Sequence, residues 1–281
     1  MKDEKITIAD LIHKKKNKQK ITMLTAYDYQ MARLIDEAGI DMILVGDSVG
    51  NVVLGYDSTV PVTMEEMLHH AKAVRRGVKK ALLIVDMPFM SYNISIEAAI
   101  GNAGRFMKEA GAQAVKLEGA GVMTSVAKKI VEAGIPVVGH IGLTPQTTSK
   151  LSGYKVQGKD LVGAQDILDS AFALQKVGCF SLILECVPSA LARLITRNLD
   201  IPTIGIGAGS YCDGQVLVSY DLLGVVKEFK PKFVKRYADL SSQMENAFSD
   251  FKKEVDKNIF PAAEHAFSMN EDLLKKLKIK K

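Results

Sequence analysis

The chain has 281 residues, 47% of them hydrophobic, which is enough to bury a substantial core. Its formal net charge of +5 is modest, and no basic stripe interleaved with aromatic residues indicates nucleic-acid binding. No apolar run approaches the roughly 18 residues of a membrane span, and the polar N-terminal segment does not resemble a secretory signal. We therefore expect a cytoplasmic protein with no nucleic-acid or membrane partner.

Eight apolar runs are predicted to be buried β-strands. Nearly continuous apolar residues are typical of parallel strands that are covered on both faces. In chain order the predicted strands are ITMLT (21–25), MILV (42–45), ALLIV (81–85), AVKL (114–117), IPVVG (135–139), SLIL (181–184), IPTIGI (201–206) and QVLVS (215–219). Helical patterns separate these runs, so the repeat predicts one closed α/β barrel, a (β/α)8 TIM barrel.

Four predicted strands follow a helical segment that ends at a glycine. The four segments are DEAGIDMILVGD, KEAGAQAVKLEG, VEAGIPVVGH and QKVGCFSLILE. A glycine at this place lets a helix end in a left-handed conformation before the chain enters the sheet. We predict a single domain over residues 1–281, with a barrel core at about 20–225, an N-terminal cap before it and a C-terminal helical segment at about 226–281.

Charged and polar residues stand where several predicted strands end. Active sites of parallel barrel enzymes are assembled from residues at the C-terminal ends of successive strands, so this pattern indicates an enzyme. The candidate residues are Asp47, Asp86, Lys116, Glu118, His140 and Glu185.

Three of these residues are carboxylates that would share one end of the barrel. Asp47, Asp86 and Glu118 would repel one another unless a cation or a proton neutralises them. Ligand sets made only of oxygen atoms favour a hard ion such as Mg²⁺. Taken singly, each aspartate also suits a helix N-cap or a turn, but the repetition at successive strand ends favours a metal site.

The other strand-end residues suggest substrate chemistry. Lys116 and Glu118 lie two apart in a strand and should face the same side, where the ammonium could hold a substrate carboxylate or an enolate oxygen. The alternative for Lys116 is a surface salt bridge. His140 could bind a substrate oxygen, carry a proton or serve only the structure. Glu185 ends an apolar run and is the candidate general base.

Two further patterns are given structural interpretations. The three cysteines, Cys179, Cys186 and Cys212, form no CxxC pair and no zinc-like cluster, so we expect reduced packing residues. Cys186 is adjacent to Glu185 and should point to the opposite side of its strand. The glycine cluster GIGAG (205–209) suits a tight turn better than an anion site lined by backbone.

Seven sequence blocks, in order, resemble the motifs of the ketopantoate hydroxymethyltransferase family. They are GDSVGNVVLGYDSTVPVT (46–63), DMPFMSY (86–92), VKLEG (115–119), VGHIGLTPQ (138–146), LECVP (184–188), IGIGAG (204–209) and CDGQVLV (212–218), and FPAAEHAF (260–267) resembles the C-terminal signature. The resemblance implies a Mg²⁺-dependent barrel enzyme that uses 5,10-methylenetetrahydrofolate to convert 3-methyl-2-oxobutanoate to 2-dehydropantoate in pantothenate and coenzyme A biosynthesis. It also implies a homodecamer built as a pentamer of dimers.

The resemblance assigns roles to individual residues. It implies Mg²⁺ ligands at Asp47, Asp86 and Glu118. It implies a proton acceptor at Glu185. It also implies that four residues contact the ketoacid: Asp47, Ser48, Asp86 and Lys116. Two alternatives are weighed against this function: a Mg²⁺-dependent carbon–carbon lyase similar to isocitrate lyase, and a non-catalytic barrel that binds a metabolite.

Overall fold

The computed structural model describes residues 5–147, 155–227 and 231–279. In these ranges eight parallel strands form a closed barrel in the order β1 to β8. The strands are β1 Ile21–Thr25, β2 Met42–Val45, β3 Leu82–Asp86, β4 Ala114–Glu118, β5 Val137–Gly142, β6 Ser181–Glu185, β7 Thr203–Ile206 and β8 Gly214–Leu217. The predicted (β/α)8 barrel is confirmed, and only the strand ends differ from the prediction.

Helices surround the barrel, and several of them begin at side-chain caps. Over the described ranges they are α1 Ile8–Lys16, α2 Tyr29–Glu37, α3 Val49–Val52, α4 Met64–Gly77, α5 Ile96–Ala110, α6 Val122–Glu132, α7 Leu161–Lys176, α8 Ser189–Asn198, α9 Ser219–Leu222, α10 Leu240–Asp256 and α11 Glu271–Leu274. Thr63, Ser95 and Asp160 each accept a backbone N–H in the first turn of α4, α5 and α7. These side chains satisfy amide groups that have no partner within the helix.

The predicted helix-ending glycines are confirmed. Gly39, Gly111, Gly134 and Gly178 all have positive φ, at 78°, 63°, 86° and 98°. Residues with a Cβ rarely adopt this conformation, whereas glycine does so without steric strain. Each of these glycines lets the chain leave a helix and enter the next strand within a few residues.

The barrel lumen is apolar at its N-terminal end and charged at its C-terminal end. The apolar layers of the lumen consist of Ile21, Met23, Met42, Leu44, Leu82, Ile84, Ala114, Val138, Phe180, Ile183, Ile204 and Val216, together with Leu11 of α1. Along β4 the residues that follow Ala114 on the same face are Lys116 and Glu118, since side chains alternate along a strand. The charged groups therefore lie directly above these buried apolar layers.

Helix α1 closes the lower end of the barrel, which confirms the predicted N-terminal cap. Its Leu11 is fully buried against the lumen residues. Lys15 Nζ lies 2.7 Å from Asp213 Oδ2, and Lys14 forms an ion pair with Asp41. These contacts hold the cap to the loops that lead into β2 and β8.

The C-terminal segment is helical, as predicted, but α10 does not pack as a covered layer on the barrel. None of its residues is buried. Phe248, Phe251 and Val255 are all exposed, although their spacing puts them on one face of the helix. No helix among the described residues is long and apolar enough to cross a membrane. The division of the chain into core and C-terminal segment stays a prediction.

A buried carboxylate in α2 organises the entry into β3. Asp36 Oδ1 accepts the N–H groups of Lys80 at 2.9 Å and Ala81 at 2.7 Å, and Oδ2 accepts the N–H of Lys79 at 3.1 Å. Three successive amide groups are thus satisfied by one side chain that is 4% exposed. Hydrogen bonds to a charged acceptor are among the stronger ones in proteins.

We expect Asp36→Ala to lower the free energy of unfolding by about 2–4 kcal/mol, because three backbone amide groups lose a charged acceptor. Urea denaturation followed by circular dichroism measures this change. The control Asp169→Ala removes an exposed carboxylate of α7 and should change stability by less than about 0.5 kcal/mol. Equal effects of the two substitutions would contradict the role given to Asp36.

Candidate active site

Strand register brings the predicted residues together at the C-terminal end of the barrel. Asp86 pairs in register with Lys116, and Glu118 pairs with His140. Glu185 ends β6 opposite Gly142 of β5. Asp47 follows β2 and donates its backbone N–H to Asp86 Oδ2 at 3.0 Å.

These residues line a cavity of about 570 Å³, within the range typical of small-molecule sites. The predicted residues that line it are Asp47, Ser48, Asp86, Lys116, Glu118, His140 and Glu185. Apolar side chains from more distant parts of the chain, including Val156 and Phe233, also contribute to its wall. All of the predicted site residues therefore face one space.

The Lys116 ammonium is the central cation of this cluster. Its Nζ lies 3.2 Å from Asp86 Oδ1 and 3.8 Å from Glu118 Oε1, and it also contacts His140 Nδ1 at 3.2 Å. Burial lowers the pKa of Lys116, but the surrounding carboxylates raise it further, so the net pKa is raised. The surface salt bridge considered for this residue is wrong, because Lys116 is only 4% exposed.

The three carboxylates differ in how well they are stabilised. Burial and the charges of Asp86 and Glu118 raise the pKa of Asp47 well above its usual value. Burial also raises the pKa of Asp86, and the Lys116 ammonium and the Asp47 N–H offset this only in part. For Glu118 the burial effect is outweighed by His140 and Lys116, which leave its pKa lowered. Lys116 and His140 therefore favour the ionised form of Glu118, whereas burial disfavours the ionised forms of Asp47 and Asp86.

Oxygen atoms in this cluster fit a hard cation. Asp86 Oδ1 and Glu118 Oε1 are buried and make no hydrogen bond. Over the described ranges, however, no group of three or more His, Cys, Asp or Glu side chains forms a ready-made metal site. The ammonium of Lys116 lies near both of these oxygens instead. The donor set suits Mg²⁺ by its chemistry, and binding would require these side chains to adjust.

His140 lies between two carboxylates. Its Nδ1 is 3.4 Å from Glu118 Oε1, and its Nε2 is 3.1 Å from Glu185 Oε2, although Nε2 is not aligned for a hydrogen bond. Burial and the Lys116 ammonium lower the pKa of His140, but the carboxylates raise it by more, to about 9. Whether the ring is protonated or accepts from Lys116 at Nδ1, Nε2 carries a hydrogen.

Ser48 faces the cavity beside Asp47, and Tyr27 fixes its position. The Tyr27 hydroxyl lies 2.9 Å from Ser48 Oγ. Tyr27 is 1% exposed and packs edge-on against Tyr220. Sequence patterns gave Ser48 no role, and the resemblance alone selected it.

Two polar residues of the site had no predicted role. Gln146 lies after β5, and its side chain contacts Asp47, Tyr92 and the Met87 carbonyl. Gln146 is 3% exposed and Tyr92 is 1% exposed. Both lie inside blocks that carry the family resemblance, but neither occupies a strand end, so the strand-end pattern could not select them.

The prediction for Cys186 is wrong. Cys186 lines the same cavity as Glu185 instead of pointing away from it. Its φ is 49°, so the chain turns directly after β6 and regular alternation of side chains ends there. Burial raises the pKa of its thiol to about 11. The expected free thiols are confirmed.

Two glycines that approach cavity-lining residues closely, Gly142 and Gly207, require the absence of a side chain. Gly142 has a φ of 95°, and a Cβ there would lie 2.2 Å from the Glu185 carbonyl oxygen. In the GIGAG segment, Gly207 and Gly209 also have positive φ, and a Cβ on Gly207 would lie 2.8 Å from the Phe233 ring. This backbone geometry supports the tight turn predicted for residues 205–209.

Comparison with known proteins identifies the family of the chain. A family model described as ketopantoate hydroxymethyltransferase matches residues 5–263. The chain belongs to this family. A 3-methyl-2-oxobutanoate hydroxymethyltransferase from Carboxydothermus hydrogenoformans is 57% identical over 274 residues, which are 98% of this chain and 99% of that protein. One from Syntrophomonas wolfei is 54% identical over 97% of this chain and 99% of that protein.

Solved structures support the barrel fold of this ketopantoate hydroxymethyltransferase family member. A phosphoenolpyruvate phosphomutase from Streptomyces platensis subsp. rosaceus has a TM-score of 0.61 and 14% identity, covering 95% of this chain and 94% of that one. A 2,3-dimethylmalate lyase of the PEP mutase/isocitrate lyase superfamily has a TM-score of 0.58 and 13% identity, covering 95% and 93%. At such identities the likeness shows the fold alone.

We expect Lys116→Met to lower the free energy of unfolding by about 3–5 kcal/mol near pH 8 in the presence of a chelator, because buried carboxylates lose their counter-charge. The ammonium lowers the pKa of Asp47 and of Asp86, so its removal raises both pKa values further. A carboxyl group with a raised pKa binds its proton more tightly in the folded state, so the loss should shrink between about pH 8 and about pH 5.

Urea denaturation of both proteins across this pH range measures the difference in stability. The control Lys128→Met removes an exposed ammonium that pairs with Glu132 and should show a small difference that does not vary with pH in this way. A deficit of Lys116→Met that stays constant or widens as the pH falls would contradict the neutralising role of the ammonium.

Proposed function

We propose that the chain catalyses hydroxymethyl transfer from 5,10-methylenetetrahydrofolate to 3-methyl-2-oxobutanoate, giving 2-dehydropantoate for pantothenate and coenzyme A biosynthesis in the cytoplasm. The observation that carries this proposal is that the Lys116 ammonium and the Glu185 carboxylate face one cavity in a member of the ketopantoate hydroxymethyltransferase family. The reaction needs both groups, because a carbon acid must lose a proton and an enolate oxygen must be stabilised.

Substrate binding follows from the charges of the cavity. Lys116 lines the cavity and supplies an ammonium for an oxygen of the ketoacid. Ser48 offers a hydroxyl that Tyr27 already holds in place. Asp47, Asp86 and Glu118 would hold Mg²⁺, which when bound supplies Lewis-acid stabilisation of negative charge on substrate oxygens. Apolar residues that line the cavity around these charged groups suit the branched hydrocarbon end of the ketoacid.

Glu185 is the base in this proposal. Its side chain is 15% exposed, so the carboxylate is accessible from the cavity. Glu185 removes the C3 proton of the ketoacid, and the charge that develops on the keto oxygen lies where the Lys116 ammonium stabilises it. The C3 carbon then forms a bond to the methylene carbon of the folate co-substrate, and water supplies the oxygen of the new hydroxymethyl group. Both carbon–nitrogen bonds of that methylene break, and tetrahydrofolate leaves with one proton from Glu185 and one from the water. Holding both reactants in one cavity makes this step effectively intramolecular.

His140 lies next to the base in this proposal. The Nε2–H of His140 faces Glu185 Oε2 at 3.1 Å, and Nδ1 faces Glu118. After proton transfer, the imidazole is close enough to exchange a proton with the carboxyl group.

The test follows the C3 proton of 3-methyl-2-oxobutanoate by NMR in D₂O with wild-type protein and Mg²⁺. We expect this signal to disappear before the folate is added, because the proton exchanges with solvent. A hydroxymethyl resonance should form only after 5,10-methylenetetrahydrofolate is added. A chelator should slow both changes, and Mg²⁺ should restore them. Glu185→Gln should slow exchange by about 10²–10⁴-fold, since the variant lacks the base, while ketoacid affinity measured by calorimetry changes little.

The matched control is Glu132→Gln, which removes an exposed carboxylate of α6 and should exchange at the wild-type rate. Unchanged exchange in Glu185→Gln would reject the role of that residue. Aldehyde or ketoacid fragments formed without folate would favour the carbon–carbon lyase. Ketoacid binding without any proton exchange by the folded wild-type protein would favour the non-catalytic barrel.

We also propose that a second copy of this chain covers the apolar face of α10, within the homodecamer that the family resemblance implies. Met244, Phe248, Phe251 and Val255 recur at spacings of three and four residues and are all exposed. A 17-residue helix that buries none of its residues is readily explained if another subunit covers this face.

We expect the double substitution Phe248→Asp and Phe251→Asp to reduce the assembly to smaller species, because carboxylates would be buried in an apolar contact. Light scattering after size-exclusion chromatography measures the mass. Ser249→Asp adds a charge to the same helix without removing an apolar side chain and serves as the control. An unchanged mass for the double variant would exclude this face from the interface.

A further inference from the structure

We propose that Gln146 is a positioning residue that fixes one oxygen of Asp47 and one of Glu118, so that each carboxylate presents a single remaining oxygen to a bound cation. The consequence is a preference for Mg²⁺ over Ca²⁺. The inference rests on the proposed function, because it concerns the cation site of that same cavity.

The observation behind this inference is a set of hydrogen bonds made by one buried residue, Gln146. Gln146 Nε2 donates to Asp47 Oδ2 at 2.8 Å and to the Met87 carbonyl at 2.9 Å. The Gln146 backbone N–H donates to Glu118 Oε2 at 3.1 Å. One residue after β5 therefore contacts carboxylates that follow β2 and end β4.

The Tyr92 hydroxyl determines which way the Gln146 amide points. It accepts the backbone N–H of Glu118 at 3.2 Å, so its own hydrogen is available to donate to Gln146 Oε1 at 2.6 Å. Turning the amide over would place Oε1 against the Asp47 carboxylate and the Met87 carbonyl, where all the facing atoms are acceptors. The amide hydrogens are thus held toward Asp47, and every polar atom of the side chain has a partner.

These hydrogen bonds leave one oxygen of each carboxylate for other partners. Glu118 Oε1 makes no hydrogen bond, while Oε2 is held by Gln146. Asp47 is held at Oδ2, which leaves Oδ1 on the other side of the carboxylate. Asp86 shows the same division, since Oδ2 accepts the Asp47 N–H and Oδ1 makes no hydrogen bond. All three carboxylates are therefore held at one oxygen and keep the other for a cation. In Asp86 and Glu118 this second oxygen lies 3.2 Å and 3.8 Å from the Lys116 ammonium.

Single-oxygen carboxylates suit Mg²⁺ better than Ca²⁺. Mg²⁺ requires near-octahedral coordination by about six ligands, whereas Ca²⁺ takes about six to eight oxygens and commonly uses both oxygens of a carboxylate. If Gln146 no longer held Asp47, that carboxylate could rotate and offer both oxygens. Hydrogen bonds behind the ligands tune affinity in many metal sites.

The test uses Gln146→Leu, which has a similar volume, keeps the backbone bond to Glu118 and loses all side-chain hydrogen bonds. Calorimetric titration of the chelator-treated full chain with Mg²⁺ and with Ca²⁺, without ketoacid or folate, gives both affinities. We expect Mg²⁺ affinity to fall by about 10–100-fold, and Ca²⁺ affinity to fall by clearly less. Tyr92→Phe keeps the Gln146 amide but removes the hydroxyl that orients it and that accepts the Glu118 N–H, and it should shift the ratio of affinities in the same direction by a smaller factor.

The matched control is Gln113→Leu. The Gln113 side-chain oxygen accepts the Leu83 N–H at 3.2 Å near the start of β4, at the other end of the barrel, so its loss should leave both affinities unchanged. Thermal unfolding checks that the variants are folded, and Tyr92→Phe decides the question if Gln146→Leu does not fold. An unchanged ratio of Mg²⁺ to Ca²⁺ affinity would overturn the role of Gln146 while the proposed function stands. Failure of the wild-type protein to bind Mg²⁺ would overturn both this inference and the metal site.

Discussion

The upper end of the barrel depends on the charge interaction between the Lys116 ammonium and the buried carboxylates around it. Asp47, Asp86 and Glu118 are each no more than 4% exposed, so water cannot solvate their charges. An unpaired buried carboxylate is strongly destabilising, and three of them would not coexist without a cation. Lys116 supplies that cation from within the same lumen. Burial and the charges of Asp86 and Glu118 raise the pKa of Asp47 despite this cation, so the charge of Asp47 is the least well compensated of the three.

The closed sheet provides what this cluster requires. Parallel strands in fixed register place Asp86 beside Lys116 and Glu118 beside His140, so partners that are distant in sequence become neighbours. The apolar layers below exclude water and strengthen every charge interaction above them. Helix α1 seals the lower end of the same lumen through Leu11. Stability is therefore supplied at one end of the barrel and chemistry at the other, as is typical of this architecture.

The sequence was sufficient for features that depend on local signals. The strands and the strand-end residues were predicted from three features that lie within a few positions of one another. These features are a glycine at a helix end, an apolar run and the polar residue that follows it. Gln146 could not be found this way, because its role consists of contacts to β2, β3 and β4 that no local pattern records. Cys186 was misplaced because strand alternation was extended one residue beyond β6, where a positive φ turns the chain.

Neutralising a charge and orienting it are separate tasks, and this site divides them between residue types. Lys116 contributes charge, which acts on all three carboxylates regardless of which oxygen each presents. Gln146 carries no charge, so it cannot reduce their repulsion, but its directional hydrogen bonds select individual oxygens. Residues of the first kind are recognisable in a sequence, since a lysine within an apolar strand is unusual. Residues of the second kind become visible only when the strands are assembled, although the geometry at the substrate depends on both.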